Sequence, residues 1–191
     1  MNVKKNTGQV WIETVLYTVI GLAIIALVLS FAYPKIRASQ ESLLIEQSIA
    51  TMNNLDTVIT TVNERGPGNI KTYTFSIKRG RLIFKEKEET VSLVLTGIKS
   101  LYSEPGVAVQ DGRVSVLTRE GTKGYTVELL LNYTYSDSTG STRKLVDLKV
   151  GDPVQEEEIK EFVQAATPYV ISVSYGKTPG SIVIEEGVSA S

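Results

Sequence analysis

The hydrophobic pattern of this chain begins with one uninterrupted apolar stretch. From Thr14 to Pro34 the sequence TVLYTVIGLAIIALVLSFAYP carries no charged residue over 21 positions. As an α-helix this stretch would be about 31 Å long at about 1.5 Å per residue, enough to cross a hydrocarbon core of about 30 Å. The apolar core of a secretory signal is shorter, typically about 7–15 residues. The pattern therefore predicts a membrane-spanning helix over residues 14–34.

The next segment, residues 35–65, has apolar residues at steps of three and four, the period of a helix with one apolar face. They are Ile45, Ile49, Met52, Leu55, Ile59 and Val62. Because Pro34 lacks a backbone donor and clashes with the preceding turn, we expect a kink there. Gly66-Pro67-Gly68 then ends the helix. The sequence predicts an N-terminal helix over residues 9–65, about 85 Å long if continuous, whose second half is amphipathic.

Beyond Gly68 the period changes to two, which is typical of half-buried strands. Tyr73–Ile77 and Leu82–Phe84 flank a Lys78–Arg81 turn and predict a hairpin. About eight short strands are expected over residues 70–186. The others lie near Val91–Leu95, Val114–Val116, Tyr125–Tyr135, Arg143–Val150, Tyr169–Tyr175 and Ser181–Glu185. The predicted fold class is α+β, a long N-terminal helix followed by an antiparallel β-sandwich-like domain.

Three shorter segments complete the predicted organisation. Asp152-Pro153-Val154-Gln155 has the residues of a helix start, and the apolar stripe Ile159–Ala166 would continue that helix. The mixed-charge run Lys85–Glu89 is expected to be a solvated hairpin end. Residues 187–191, rich in Gly, Ser and Ala, are expected to form a flexible tail.

Composition and charge narrow the possible functions. The chain has 191 residues, a formal net charge of −1, no cysteine and no histidine. Without cysteine there are no disulfides or thiolate metal sites, and without histidine the commonest acid–base group and metal ligand are missing. The balanced charge leaves no electrostatic footprint for nucleic acid. No phosphate-binding loop or nucleophile elbow is present. We therefore expect no enzyme, no cofactor and no small-molecule substrate.

The charges before the apolar stretch carry the sharpest functional signal. Lys4 and Lys5 precede the span, but two basic residues also follow it, so the charge bias alone is weak. The short N-terminal head and the large remainder favour an N-terminus in the cytoplasm and the bulk of the chain outside. Glu13 lies beside Trp11 at the edge of the span, where a carboxylate costs less than the few kcal/mol it costs at mid-helix. Two interpretations of Glu13 stay open, a carboxylate reaching the headgroups and a carboxylate paired with a cation in an assembly.

The segment KKNTGQVWIE, residues 4–13, resembles the class III signal peptide of archaeal type IV pilin-like proteins. The resemblance implies that a prepilin peptidase cuts between Gly8 and Gln9 and removes residues 1–8. Glu13 then becomes the fifth mature residue, which in the family is thought to neutralise the free amine of a neighbouring subunit. Such a pair is tolerable in a buried environment where each charge alone is costly. The chain departs from the family pattern at Trp11, where serine is common.

The resemblance further implies a pilin or minor pilin subunit that is incorporated into a surface filament. Its partners would be the membrane, the prepilin peptidase and other pilin subunits, which it contacts through the N-terminal helix. It would be a single-pass protein of the cell membrane, with residues 70–186 as an extracellular domain for adhesion or assembly contacts.

Two alternatives stay open, an uncleaved single-pass surface protein with an extracellular binding domain and an anchored carboxylate hydrolase. One modification motif is present as well. Asn132-Tyr133-Thr134 fits the N-glycosylation sequon, and Asn132 lies opposite the apolar face of its predicted strand. We therefore expect the Asn132 side chain to reach solvent.

Overall fold

A computed structural model describes residues 7–138, 140–151 and 159–187 of the chain. The long helix is present as α1 (Thr7–Arg65) and continues through Pro34 without interruption. The bend at Pro34 stays a prediction. Gly66 follows the helix with a φ of 75° and donates its amide to the Val62 carbonyl at 3.2 Å, a helix end that favours glycine. The chain divides into two compact units, Met1–Gln40 and Glu41–Ser191.

Twelve strands follow α1 in the part of the chain that the structure describes, compared with the eight predicted. They are β1 (Ile70–Phe75), β2 (Arg81–Lys85), β3 (Thr90–Ile98), β4 (Ala108–Asp111), β5 (Val114–Gly121), β6 (Gly124–Asn132), β7 (Thr134–Ser136), β8 (Thr142–Lys144), β9 (Asp147–Val150), β10 (Ile159–Val163), β11 (Tyr169–Tyr175) and β12 (Ser181–Glu186). The predicted α+β class is confirmed.

The strands form three sheets. A four-stranded sheet has the order β1-β11-β12-β9, a six-stranded sheet has the order β10-β2-β3-β6-β5-β4, and β7 pairs with β8. Neighbouring strands are antiparallel except for β12 and β9, which are parallel. The fold is therefore rich in antiparallel pairs, as the alternating pattern predicts.

One hydrophobic core joins both larger sheets to the second half of α1. The six apolar residues predicted as one helical stripe are each at most 4% exposed. Phe75 of β1 stacks edge-on against Phe162 of β10, with ring centroids 5.6 Å apart, and Phe162 meets Phe84 of β2 at 5.9 Å. The amphipathic part of α1 is therefore stabilised by packing on the sheets rather than by helix propensity alone.

The predicted hairpin between Tyr73–Ile77 and Leu82–Phe84 is wrong. β1 pairs with β11 in one sheet, whereas β2 pairs with β3 and β10 in the other. The intervening segment carries the chain between sheets and ends at Gly80, where a Cβ would lie 2.0 Å from the Val94 carbonyl oxygen. Alternation specifies which side chains are buried, but not which strand is the partner.

The predicted late helix is also wrong where it can be checked. Ile159–Val163 is strand β10, which pairs antiparallel with β2. Its start, Asp152-Pro153-Val154-Gln155, lies outside the described residues. The free edge of β2 offers a full ladder of backbone hydrogen bonds, and Ile, Phe and Val fit a strand well, so tertiary pairing overrides a weak helical pattern.

Two strands predicted as continuous are each divided. Tyr125–Tyr135 becomes β6 and β7, which belong to different sheets, and Arg143–Val150 becomes β8 and β9. Tyr133 lies at the first break and is fully buried, while Tyr135 is 49% exposed in the small two-stranded sheet. The buried side chains of this predicted strand therefore extend as far as Tyr133. Of the predicted tail, Gly187 donates its amide to the Val170 carbonyl at 2.7 Å, and residues 188–191 lie outside the described part.

Candidate functional site

The predicted processing site lies at the start of α1. The helix begins at Thr7, so the Gly8–Gln9 peptide bond falls in its first turn. The side chains of these residues, and Lys4 and Lys5 altogether, lie outside the described part of the structure. The cut between Gly8 and Gln9 and the roles of the two lysines stay predictions.

The next residues of α1 form an exposed apolar surface. Val10, Trp11 and Ile12 are 63%, 70% and 64% exposed, and nearly every large apolar side chain as far as Ile36 is exposed as well. Thr14 and Thr18 donate their hydroxyls to helix carbonyls four residues earlier, at 2.9 and 2.8 Å, so their polar groups are satisfied within the helix. The two threonine hydroxyls therefore need no partner outside the helix, which suits a segment in lipid.

The apolar segment meets the requirements for a membrane anchor. An 18-residue window of it has a mean hydropathy of 2.6, and none of that window is buried against the rest of the chain. A soluble domain rarely exposes an apolar patch of this extent, because it would bury that area against other apolar groups. A single apolar helix near the N-terminus is thus consistent with a membrane anchor, and the neighbours of Glu13 on this helix are exposed apolar side chains.

In the second unit, Glu41 of α1 is a buried carboxylate at 4% exposure. Its Oε2 accepts hydrogen bonds from the Lys99 amide at 2.8 Å, the Ser100 amide at 2.7 Å and the Ser100 hydroxyl at 2.8 Å. The Arg79 guanidinium lies 3.7 Å from Oε1. Burial alone would raise the pKa of Glu41, but the hydrogen bonds from Ser100 and Lys99, with Arg79, hold it below its ordinary value of 4.5. Glu41 therefore fixes the loop after β3 to the helix.

A second buried carboxylate, Glu89, overturns the expectation for the charged run Lys85–Glu89. Glu89 is 1% exposed and has a φ of 52°, unusual for a residue other than glycine. Its Oε2 accepts the Leu148 amide at 2.6 Å, and Lys144 lies 2.6 Å from its Oε1. Burial raises the pKa of Glu89, and Lys144 and Leu148 offset this only in part. The run is not simply a solvated hairpin end, because Glu89 ties the six-stranded sheet to β9 of the other sheet.

A third polar contact joins α1 to the turn between β4 and β5. Arg113 Nη1 lies 3.4 Å from Asp56 Oδ1, and its guanidinium lies 5.2 Å from the centre of the Tyr133 ring. Burial raises the pKa of the Tyr133 hydroxyl well above 10.0, and the nearby Asp56 carboxylate adds to the rise. Tyr133 is therefore a core residue.

Sequence reasoning missed these three contacts, although a signal for two of them was present. Glu41 and Asp56 occupy the same i, i+4 and i, i+3 positions as the apolar stripe, at 41, 45, 49, 52 and 56. A charged residue on the buried face of an amphipathic helix needs a partner, because burial of an unpaired charge is costly. Nothing local marked Glu89, since the partners of its carboxylate, Lys144 and Leu148, are more than fifty residues away.

The predicted modification site has the expected exposure. Asn132 is the last residue of β6, and its side chain is exposed. Its Oδ1 accepts hydrogen bonds from the Thr134 amide at 2.8 Å and the Thr134 hydroxyl at 2.7 Å. The sequon is therefore accessible, and its occupancy stays a prediction.

Comparison with known proteins adds no assignment. No family model, curated protein or solved structure matches the chain. A function must therefore be argued from the residues and their geometry.

Proposed function

We propose that the chain is a pilin-like subunit, a major or minor one, that a prepilin peptidase cuts after Gly8 and that joins an archaeal type IV pilus-like surface filament. The proposal rests on one observation in the structure, the exposed apolar surface of residues 10–36 with Glu13 as its single acidic side chain. In the membrane this surface contacts lipid, and in the filament it packs against the same segment of other subunits.

Glu13 supplies the specific contact. Cleavage after Gly8 creates a free amine at Gln9, four residues from the carboxylate. When the carboxylate of one subunit meets the amine of the next, each charge has a partner in a surrounding of low dielectric constant, where either alone is costly. The second unit of the chain is then displayed outside the cell, where it makes adhesion or assembly contacts.

The first experiment is mass spectrometry of the mature N-terminus of the protein recovered from native membranes. The proposal expects a chain that begins at Gln9. A chain that keeps residues 1–8 would favour the uncleaved single-pass surface protein with an extracellular binding domain.

The second experiment replaces the carboxylate. Glu13→Gln should leave expression and membrane insertion unchanged and lower incorporation into purified filaments at least about tenfold, the effect of losing roughly 1.4 kcal/mol of pairing energy. Glu64→Gln, which changes an exposed glutamate of the same helix, is the matched control. Normal filaments from Glu13→Gln would remove the pairing role.

A further inference from the structure

The side of α1 next to β1 is positively charged. Two contacts place β1 and the segment after it there: the Tyr73 hydroxyl donates to the Thr51 carbonyl at 2.9 Å, and Lys78 Nζ donates to Gln47 Oε1 at 2.9 Å. The sequence from Arg65 to Arg81 contains five basic residues and no acidic one. We call Arg65, Lys71 and Lys78 on this side the basic flank. A cavity of about 390 Å³ opens here between α1 and β1.

The opposite side of α1 is negatively charged. Arg113, next to β4, lies 3.4 Å from Asp56 of α1, which places β4 there. A Cβ on Gly112, directly after Asp111, would lie 3.0 Å from Asn53 Oδ1 of α1, which puts the end of β4 on this side of the helix. Glu46 lies seven residues before Asn53, about two helical turns, and so is on the same side. We call Glu46, Glu104 and Asp111 the acidic flank. All three are exposed, and among the described residues none of their carboxylates has an ion pair.

Each flank also carries the free edge of a sheet. β1 is the terminal strand of the four-stranded sheet and β4 is the terminal strand of the six-stranded sheet. Along the acidic flank Leu101, Val107 and Val109 are 54%, 48% and 45% exposed. An unprotected strand edge with apolar neighbours is a ready site for contact with another chain. The two flanks thus share the features of an interface and differ in the sign of their charge.

We propose that the acidic flank of one copy of this chain binds the basic flank of the next. A second copy is the one partner that supplies both charges, since each copy carries an acidic and a basic flank on the two sides of the same helix. Copies of the second unit that lie side by side in the same orientation present opposite flanks to each other. The contact joins different surfaces and therefore leaves a free flank at each end, which permits a growing helical array.

The inference rests on the proposed function, because that function supplies the shared orientation. It goes beyond that function by naming a second interface outside the N-terminal segment. Gln47 and Glu46 are adjacent in α1, so Lys78 and Glu46 occupy similar positions along the helix. Side-by-side copies therefore bring opposite charges together.

Disulfide crosslinking of the full-length chain in its native membrane tests the contact. The chain has no cysteine, so introduced cysteines are the only reactive thiols. Thr72→Cys places a thiol on the exposed side of β1 and Val109→Cys places one on β4. On mild oxidation the double variant should give a ladder of dimers, trimers and longer products, because every copy offers two different contact sites. Either single variant should remain monomeric.

Charge reversal tests the sign of the interaction. In the double-cysteine chain, Lys71→Glu with Lys78→Glu should lower the yield of crosslinked product at least about fivefold, since like charges then face each other. Adding Glu104→Lys with Asp111→Lys to the same chain should restore the yield to within about twofold. The rescued variant also shows that the loss was not caused by misfolding. Raising the salt concentration should weaken the reversal effect.

Specific outcomes would overturn the inference. A matched pair, Thr72→Cys with Val163→Cys, puts the second thiol at a residue that is 53% exposed on β10, away from the acidic flank. The proposed contact would be refuted by an equal ladder from this control pair, or by dimers from Val109→Cys alone. It would also be refuted if the test pair gave no ladder, or if the four-residue charge reversal did not restore crosslinking. If filaments form but the test pair gives no crosslinked ladder, this contact is refuted and the proposed function is not. A ladder in membranes from an uncut chain refutes the proposed function alone.

Discussion

Replacing Glu41 with alanine should destabilise the second unit of the chain by about 3 kcal/mol. The carboxylate is 4% exposed and accepts three hydrogen bonds of 2.7–2.8 Å. Each donor left without its partner costs about 1–3 kcal/mol. Arg79 beside the site is 37% exposed, so water can reach part of the space, and the lower end of that range applies to each of the three donors. This gives the value of about 3 kcal/mol.

The assay is thermal unfolding of the full chain in detergent, followed by circular dichroism of the sheets. For a domain of this size 1 kcal/mol shifts the melting temperature by about 2–4 °C, so Glu41→Ala should melt about 6–12 °C below the wild type. The control is Glu46→Ala, an exposed glutamate of the same helix, which should change stability by less than about 0.5 kcal/mol. Equal melting temperatures for the two variants would refute the role of Glu41.

The contribution of Glu41 to the stability of the second unit should also depend on pH. The pKa of Glu41 in the folded state lies below its ordinary value of 4.5. The carboxylate therefore contributes stability that is fully present above pH 4.5 and is lost as the pH falls through the lower, folded-state pKa. The stability difference between wild type and Glu41→Gln should shrink over that range. A difference that does not change with pH would contradict the charged, hydrogen-bonded state of Glu41.

Two further predictions concern the sheets. Gly80→Ala should destabilise the protein by more than about 2 kcal/mol, because its Cβ would lie 2.0 Å from the Val94 carbonyl at a φ of +84°. The control is Gly66→Ala, at a φ of +75° with open space around it, which should lower the free energy of unfolding by only about 1 kcal/mol. Denaturant unfolding measures both variants, and an equal loss of stability in the two would exclude the clash with Val94. Burial raises the pKa of Glu89 in the folded state, so the stability that its protonated carboxyl contributes is lost as the pH rises above 4.5 and the carboxyl ionises. Glu89→Gln cannot ionise and should therefore become more stable relative to the wild type over that range. Unfolding at pH 4 and pH 7 measures this, and an opposite trend would refute it.

Glu41 and Asp56 show what a sequence pattern predicts and where it stops. The apolar stripe of α1 was predicted in full, because a helical period places those residues on one face whatever lies opposite. The two carboxylates in the same stripe were visible in the sequence, but their partners Ser100 and Arg113 come from loops far along the chain. Only folding brings them together.

The sequence by itself determined the lone carboxylate Glu13 before an uncharged stretch, the N-terminal helix, its buried stripe and the positions of most strands. These depend on periods of residues that are neighbours in the chain. Only the tertiary structure decided that β1 joins β11 instead of β2, that Ile159–Val163 is a strand, and that the two flanks of α1 carry opposite charges. Strand partners and surface charge patterns arise from residues that are distant in sequence. They are therefore selected by the compact fold and not by local preference.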